Sequence, residues 1–344
     1  MNMIRLLLLL ATALVMTVVV FTRVPVAQNW LLGVMGERAM NNQFAESDHL
    51  KVFVCGSASP LGNSVARSQA CIAIVTPKHF YLFDVGAGSA NKVLNAGLPY
   101  ERLDGVFLTH FHSDHIADLP AARLFSWVAG RAKPLQVFGP TGVEEVVTGF
   151  NRAYRYDGEY RTRHHGEDLL PPSAGQLQAV SGGSGVVLDR DGLQVTQFKV
   201  QHDPVEPAVG YRVDYQGRSI VISGDSIVSE NLFKHAAGVD LLFHDALSPK
   251  LTKRLSQLAT EAGRDRVAQV MLDVLDYHAD VTALEAASQE ANVAQLVLYH
   301  MVPTPNNPLL ERMWQQEISD STILSDDGMV FELPAGSREL VIRR

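Results

Sequence analysis

"LTHFHSDHIADLP", residues 108–120, places His110, His112, Asp114 and His115 almost side by side, directly after the apolar run "GVFL". Imidazoles and a carboxylate crowded together are costly to bury unless something partners them. A strand ending near Thr109–His110 turns alternate side chains to alternate faces, so His110 and His112 project the same way. Asp114 and His115 follow where the chain enters "DHIADLPAARLFSWVAG", which reads as one helix with apolar spacing of three and four. Four ligand-type groups then converge at one strand end. Neutral imidazole with carboxylate is a borderline N/O set that suits zinc, iron or manganese better than calcium. The competing reading, a loop of surface histidines, does not explain the strand–motif–helix setting.

Three further hydrophobic runs stop at a residue of the same kind: "FKVQH" at His202, "VISGD" at Asp225 and "LVLYH" at His300. Singly, each is as well read as a capping or satisfied residue. Together with the first cluster they make seven ligands, enough for two metal ions that share a carboxylate.

The surrounding chain is strand-rich from Leu50: "LKVFVCG", "ACIAIVT", "HFYLFDVG", "LDGVFLTH" and "PLQVFGP" alternate with helical stretches such as "TGVEEVVTGFNRAY". From Tyr154 to Gly185 the pattern dissolves into a polar loop. Strands then return, with "VDYQGRSIV" a hairpin turning at Gln216-Gly217. Helices fall in both halves, so an α+β sandwich of sheets flanked by helices is expected.

Bulk properties narrow the partners. A chain of 344 residues with 47% hydrophobic and 19% charged residues can bury a sizeable core. A net charge of −8 speaks against a broad electrostatic grip on nucleic acid. The uncharged apolar run Leu6–Thr22, between Arg5 and Arg23, reads as a signal anchor or signal peptide over residues 1–28, which places the remainder outside the cytoplasm, periplasmic or on the outer face of the membrane. Residues 29–49 read as a connector and 50–344 as one folded domain. Cys55 and Cys71 lie in strand-like runs, and both a disulfide and two buried thiols are open. His49, His79, His235 and His244 have no visible partners and are read as structural.

The ordered set of motifs resembles the metallo-β-lactamase superfamily. "THFHSDH" matches its HxHxDH motif, "HDPVEPAVGYRV" its His-then-Gly-Tyr-Arg segment, and "ISGDS" its Ser-Gly-Asp-Thr segment with Ser226 in place of threonine. "FHDA" and "YHADVTALEAASQEANVAQLVLYH" are similar to the His-Glu-Ala segment and paired-histidine ending of the ribonuclease Z and arylsulfatase-like branch. The resemblance covers roughly residues 50–335 and implies a four-layer αβ/βα sandwich. It implies that His110, His112 and His202 bind one ion, that Asp114, His115 and His300 bind the other, and that Asp225 bridges. Zinc is expected, with manganese or iron as alternatives. The commonest zinc β-lactamases carry cysteine at the Asp225 position, so the carboxylate here favours a two-metal centre for ester cleavage.

By the same resemblance Asp114, His278 and Asp245 are the catalytic candidates. His278 would protonate the leaving group and Asp245, one methylene shorter than the family's glutamate, would orient its ring. A helix cap is the competing reading of His278. The segment "NRAYRYDGEYRTRHH" offers Arg161, Arg163, His164 and His165 to an anionic ester; a solvated loop paired to Asp157, Glu159 and Glu167 is the alternative.

Ribonuclease Z carries a long insertion between its third ligand histidine and bridging aspartate, whereas only "DPVEPAVGYRVDYQGRSIVISG" separates His202 from Asp225. The expectation is therefore a dinuclear hydrolase of small sulfate or phosphate esters, arylsulfatase- or phosphodiesterase-like, attached to a membrane through its N-terminal segment, with a homodimer allowed and nucleic acid not among its partners. The alternatives are a ribonuclease Z-like endonuclease, a lactonase of the same fold, and a non-catalytic metal-binding protein.

Overall fold

A computed structural model describes residues 3–40, 44, 49–61 and 64–344. Six strands come first: β1 (Leu50–Gly56), β2 (Cys71–Val75), β3 (Phe80–Phe83), β4 (Leu103–Phe107), β5 (Leu135–Gly139) and β6 (Leu177–Ser181). Seven more build a second sheet: β7 (Gly185–Arg190), β8 (Leu193–Lys199), β9 (Val209–Tyr215), β10 (Arg218–Ile222), β11 (Leu241–Leu247), β12 (Leu296–Val302) and β13 (Ile323–Leu324). The chain then returns to the first sheet as β14 (Val330–Leu333) and β15 (Val341–Arg343). Strand orders are β15-β14-β1-β2-β3-β4-β5-β6 and β13-β12-β11-β10-β9-β8-β7.

The apolar strand runs are explained by burial on both faces. Along β3, Tyr81 and Phe83 enter the core between the sheets, while Phe80 and Leu82 face the outer helices. Along β10, Ile220 and Ile222 face inward and Val221 outward. Phe83, Phe107 and Phe138 stack in line at 4.8 and 4.4 Å, and Tyr211 of the opposite sheet meets Phe107 edge-on at 5.2 Å. Each such ring contributes about 1.5–3 kcal/mol through burial, so this inner layer fixes how the sheets face each other. Cys55 and Cys71 form a disulfide between β1 and β2.

The N-terminal hydrophobic helix is present as α1 (Met3–Arg23), followed by α2 (Pro25–Met40), and the segments Leu10–Arg23 and Pro25–Val34 are bent by 85°. Among the described residues no single helix is long and apolar enough to cross a membrane; that bent pair passes by length and composition only when taken together. The connector expected over 29–49 is helical as far as Met40, and its residues 41–43 and 45–48 lie outside the described residues. Outside the first sheet lie α3 (Ser89–Asn95), α4 (Ser113–Ile116), α5 (Leu119–Ala129), α6 (Val143–Ala153) and α7 (Arg155–His165). Outside the second lie α8 (Glu230–Ala236), α9 (Pro249–Glu261), α10 (Asp265–Asp273), α11 (Val281–Glu290) and α12 (Pro308–Gln315).

Two local expectations are corrected. "DHIADLPAARLFSWVAG" is not one helix: α4 stops at Ile116 and α5 opens with Pro120 in its first turn, where a missing N–H costs nothing. The polar stretch after Tyr154 is not all loop, because α7 and β6 lie within it. Helix α7 buries only Thr162 and so carries no apolar stripe to read. It is supported instead by i,i+4 pairs, Arg155 with Glu159 at 2.8 Å and Arg161 with Asp157 at 2.9 Å.

Candidate metal centre

Strand ends deliver the ligand-type residues to one place. From the first sheet, the chain leaving β3 carries Asp84 and the chain leaving β4 carries His110, with His112, Asp114 and His115 just beyond. From the second, β8 leads to His202, β10 leads to Asp225, and β11 contains Asp245. β12 does not stop at His300 as the sequence suggested. It continues to Val302, and His300 is the extra residue at a bulge where Asp245 pairs with Tyr299 and Ala246 with Met301. His300 has φ 44°, a left-handed conformation that a non-glycine residue adopts where the surroundings enforce it. Gly224 (φ 65°) makes the turn before Asp225; a side chain there would bring its Cβ within 2.7 Å of Thr109.

Two quartets result, His110–His112–His202–Asp225 and Asp114–His115–His300–Asp225, each with ligand atoms within 4.8 Å of one another. His110 Nε2 and His202 Nε2 each lie 3.8 Å from Asp225 Oδ2. His115 Nε2 is 3.3 Å from the same oxygen and 3.5 Å from Asp114 Oδ2, while His300 Nδ1 is 3.4 Å from Asp225 Oδ1. Tetrahedral ligands about 2.0–2.1 Å from zinc stand roughly 3.4 Å apart, so the spacing suits ions of that size. The decisive fit is chemical. His115 Nε2, His202 Nε2, His300 Nδ1 and Asp225 Oδ1 are buried with no hydrogen-bond partner among the described residues. Buried polar atoms are otherwise almost always paired, and a divalent ion in each quartet would pair all four.

The opposite nitrogens are held by protein. His115 Nδ1 sits 2.7 Å from Asp84 Oδ2, and His202 Nδ1 sits 2.9 Å from the carbonyl of Tyr277. Such partners fix the tautomer that presents a lone pair to a metal. Asp84, itself at φ 55°, also accepts from the Thr109 backbone N–H and hydroxyl, both at 2.8 Å. The sequence reading missed Asp84, although "YLFDVG" carries the signal used elsewhere: a hydrophobic run that stops at a ligand-type residue.

Electrostatics divide the quartets. Burial holds His110, His112 and His202 below the ordinary histidine range. Burial would lower His115 too, but Asp225, Asp84 and Asp114 outweigh it and raise it well above that range. His300 is raised against burial by Asp225 and Asp114. Asp114 and Asp225 are driven down despite their burial, chiefly by His115 and His300 respectively.

At the mouth stands the expected dyad. His278 Nδ1 lies 2.9 Å from Asp245 Oδ2, so the shorter carboxylate does reach. Asp245 Oδ1 accepts from the Ser226 N–H at 3.2 Å and lies 2.9 Å from His244 Nδ1, so His244, read as structural, buttresses the dyad. Burial opposes its charge, but the His244 and His278 contacts keep Asp245 below the usual carboxylate range. His278, His112, Asp114, Asp225 and His300 line a cavity of about 210 Å³, whereas Arg161, Arg163, His164 and His165 do not line it and are carried by α7. Of the remaining histidines, His79 lies 3.7 Å from Asp104 and 3.8 Å from Asp191.

Comparison with known proteins follows the same line. The profile described as "Beta-lactamase superfamily domain" matches residues 80–301. The chain belongs to the metallo-β-lactamase superfamily. Within it, Ribonuclease Z of Mycobacterium bovis (strain BCG / Pasteur 1173P2) is 31% identical over 269 residues, covering 77% of this chain and 90% of its own length. Ribonuclease Z of Mycobacterium sp. (strain KMS) is 33% identical over 268 residues, covering 77% and 88%. Among solved structures, human tRNase Z, short form, gives a TM-score of 0.58 at 21% identity over 83% of this chain and 99% of its own. The metallo-β-lactamase fold protein YhfI from Bacillus subtilis gives 0.59 at 18% over 83% and 100%. These two likenesses establish the fold.

The protein is thus a metallo-β-lactamase-fold hydrolase acting on ester bonds, in a superfamily that binds divalent metals, typically zinc. The relatives favour the ribonuclease Z-like alternative over the sulfate-ester reading. They also overturn the expectation that nucleic acid is not a partner. That expectation leaned on a net charge summed over the whole molecule, which says nothing about the field at one metal-bearing cleft.

Proposed function

We propose that this metallo-β-lactamase-fold hydrolase is a two-metal phosphodiesterase that cleaves an RNA phosphodiester. The observation that carries this reading is the pair of buried quartets sharing Asp225, with the His278–Asp245 dyad opening on the same cavity. The relatives named Ribonuclease Z support RNA as the substrate class. In this reading His110, His112, His202 and Asp225 hold one ion and Asp114, His115, His300 and Asp225 the other, zinc being the best match for the donor set and manganese or iron the alternatives. Two ions held there would supply a water nucleophile at neutral pH and would stabilise the charge of an in-line displacement.

The chain's own groups do the rest. Asp114 lines the cavity and accepts from His300 at 2.9 Å, which fixes its carboxylate where it can accept a hydrogen bond from the attacking water and orient it. His278 donates Nδ1–H to the ionised Asp245 and so turns Nε2 toward the leaving oxygen, to which it hands a proton. The β9–β10 turn of Gln216 and Gly217 supplies no arm, so the grip on RNA comes from the rim of the cavity and its surroundings. Attachment to a membrane through the bent pair α1–α2 remains part of this proposal, and fractionation of cells with and without residues 1–40 tests it.

The test is a panel of a 3′-extended tRNA precursor, an unstructured RNA oligomer, an aryl phosphodiester and an aryl sulfate, with wild type and Asp225→Ala. Turnover of the phosphodiesters, abolished in the variant, is expected. Turnover of the sulfate alone, or of none, would refute the reading.

A further inference from the structure

The cavity onto which the metal quartets open is lined by two unlike sets of residues. One is polar and includes His112, Asp114, Asp225, His278 and His300; the other is Pro60, Leu61, Val274, Tyr277 and Val302. Among the described residues neither set contains a lysine or an arginine. Negative charge entering the cavity is therefore met by the polar set alone, and the apolar wall suits a part of the substrate that is uncharged.

That wall is backed by solid packing. Val274 and Val302 belong to a buried cluster with Leu247, against which Leu61, Leu275 and Tyr277 pack. Tyr277 is fixed through its backbone, because its carbonyl partners His202 Nδ1 at 2.9 Å. Its ring meets the imidazole of His202 at 4.9 Å and that of His278 at 4.7 Å. The ring is half-buried, and no protein group among the described residues hydrogen-bonds its hydroxyl. A half-buried ring on an apolar wall, tied to a ligand histidine and beside the proposed proton donor, is placed to receive a planar group on the leaving side of the scissile bond.

We infer that Tyr277, with Leu61, Val274 and Val302, forms a subsite for the unpaired nucleobase on the leaving-group side of the cleaved phosphodiester. The inference rests on the phosphodiesterase reading above and deepens it by naming what flanks the phosphorus. Stacking on an aromatic side chain is tolerant of sequence, since every base has a π face. Discrimination by this wall is then between a base and no base rather than among the four bases. Tyr277 is a substrate-positioning residue, and its hydroxyl is dispensable for that purpose.

The experiment uses the full-length, metal-loaded protein and two dinucleotides that differ only in whether the leaving-side nucleoside carries its base. The leaving oxygen is the same in both, so the ratio of their kcat/KM values reads the subsite. A loss of metal or of folded protein lowers both and leaves the ratio unmoved. Wild type is expected to prefer the intact dinucleotide by about tenfold or more. Tyr277→Ala should bring the ratio toward unity, whereas Tyr277→Phe should keep it. Turnover of both dinucleotides by wild type at equal kcat/KM overturns this inference and leaves the phosphodiesterase reading standing. A preference that survives in Tyr277→Ala also overturns it. Turnover of neither dinucleotide, with an aryl phosphodiester cleaved, overturns the subsite, and turnover of no phosphodiester overturns both readings.

Discussion

Asp84→Asn isolates one hydrogen bond behind the metal centre. The backbone at Asp84 has φ 55°, which asparagine tolerates nearly as well as aspartate, so the change adds little strain. The amide oxygen can still accept the Thr109 N–H at the Oδ1 position. What is lost is the acceptor 2.7 Å from His115 Nδ1, because an amide NH2 cannot accept a proton from the ring. His115 must then break the contact or move its proton to Nε2, the nitrogen that faces Asp114 and Asp225. A charged hydrogen bond of this kind contributes about 1.5–3 kcal/mol, equivalent to roughly 10–100-fold in affinity. The effect should fall on one ion only, since the quartet of His110, His112 and His202 does not touch Asp84 directly. Competition against a chromophoric zinc chelator at fixed pH resolves the two binding steps, and one should weaken by that factor while the other stays. If both steps keep their wild-type affinity, the hydrogen bond is not what presents His115 to the metal, and the reasoning fails.

Three further outcomes follow from the same geometry. His278→Ala should lower kcat by about 10²–10⁴ with the metal content unchanged; near-normal turnover, or ions lost along with activity, would remove His278 from the proton-donor role. In the metal-free protein the raised pKa values of His115 and His300 mean that both keep a proton to higher pH than a free histidine, so a metal ion must displace it. Metal binding should therefore release protons, and apparent affinity should fall as pH falls through those raised values; calorimetry in two buffers of different ionisation enthalpy measures this, and identical heats would refute it. The disulfide between Cys55 and Cys71 spans a sequence separation of 16, so reduction or Cys71→Ser should lower the unfolding free energy by about 2–4 kcal/mol in urea titrations; overlapping curves with and without reductant would show that the β1–β2 pairing holds that region alone.

Part of the site was legible because several ligand-type residues leave the same trace, a hydrophobic strand run that stops at histidine or aspartate. His202, Asp225 and His300 stand out this way, and so could Asp84 have done. Residues whose role comes from the backbone left no trace. Tyr277 supports His202 through a carbonyl, which any residue type possesses, so its position in the cavity appears only once the chain is folded. His300 illustrates a different limit: its run ends in a ligand, but the bulge and positive φ that aim it depend on pairing with β11, far off in sequence. Helix α7 escaped notice because its support is ionic and lies on an exposed surface, with no apolar periodicity to detect.

The bulge at His300 has a consequence for the order in which the molecule becomes itself. The shared carboxylate, Asp225, and the last imidazole, His300, belong to the second sheet, whereas the histidines of the opening motif belong to the first. A growing polypeptide therefore displays His110, His112 and His115 long before it owns a pocket that can keep an ion. Only with β12 beside β11 is the second quartet complete, so an ion held there would be bound by a nearly complete chain, after its two halves have met.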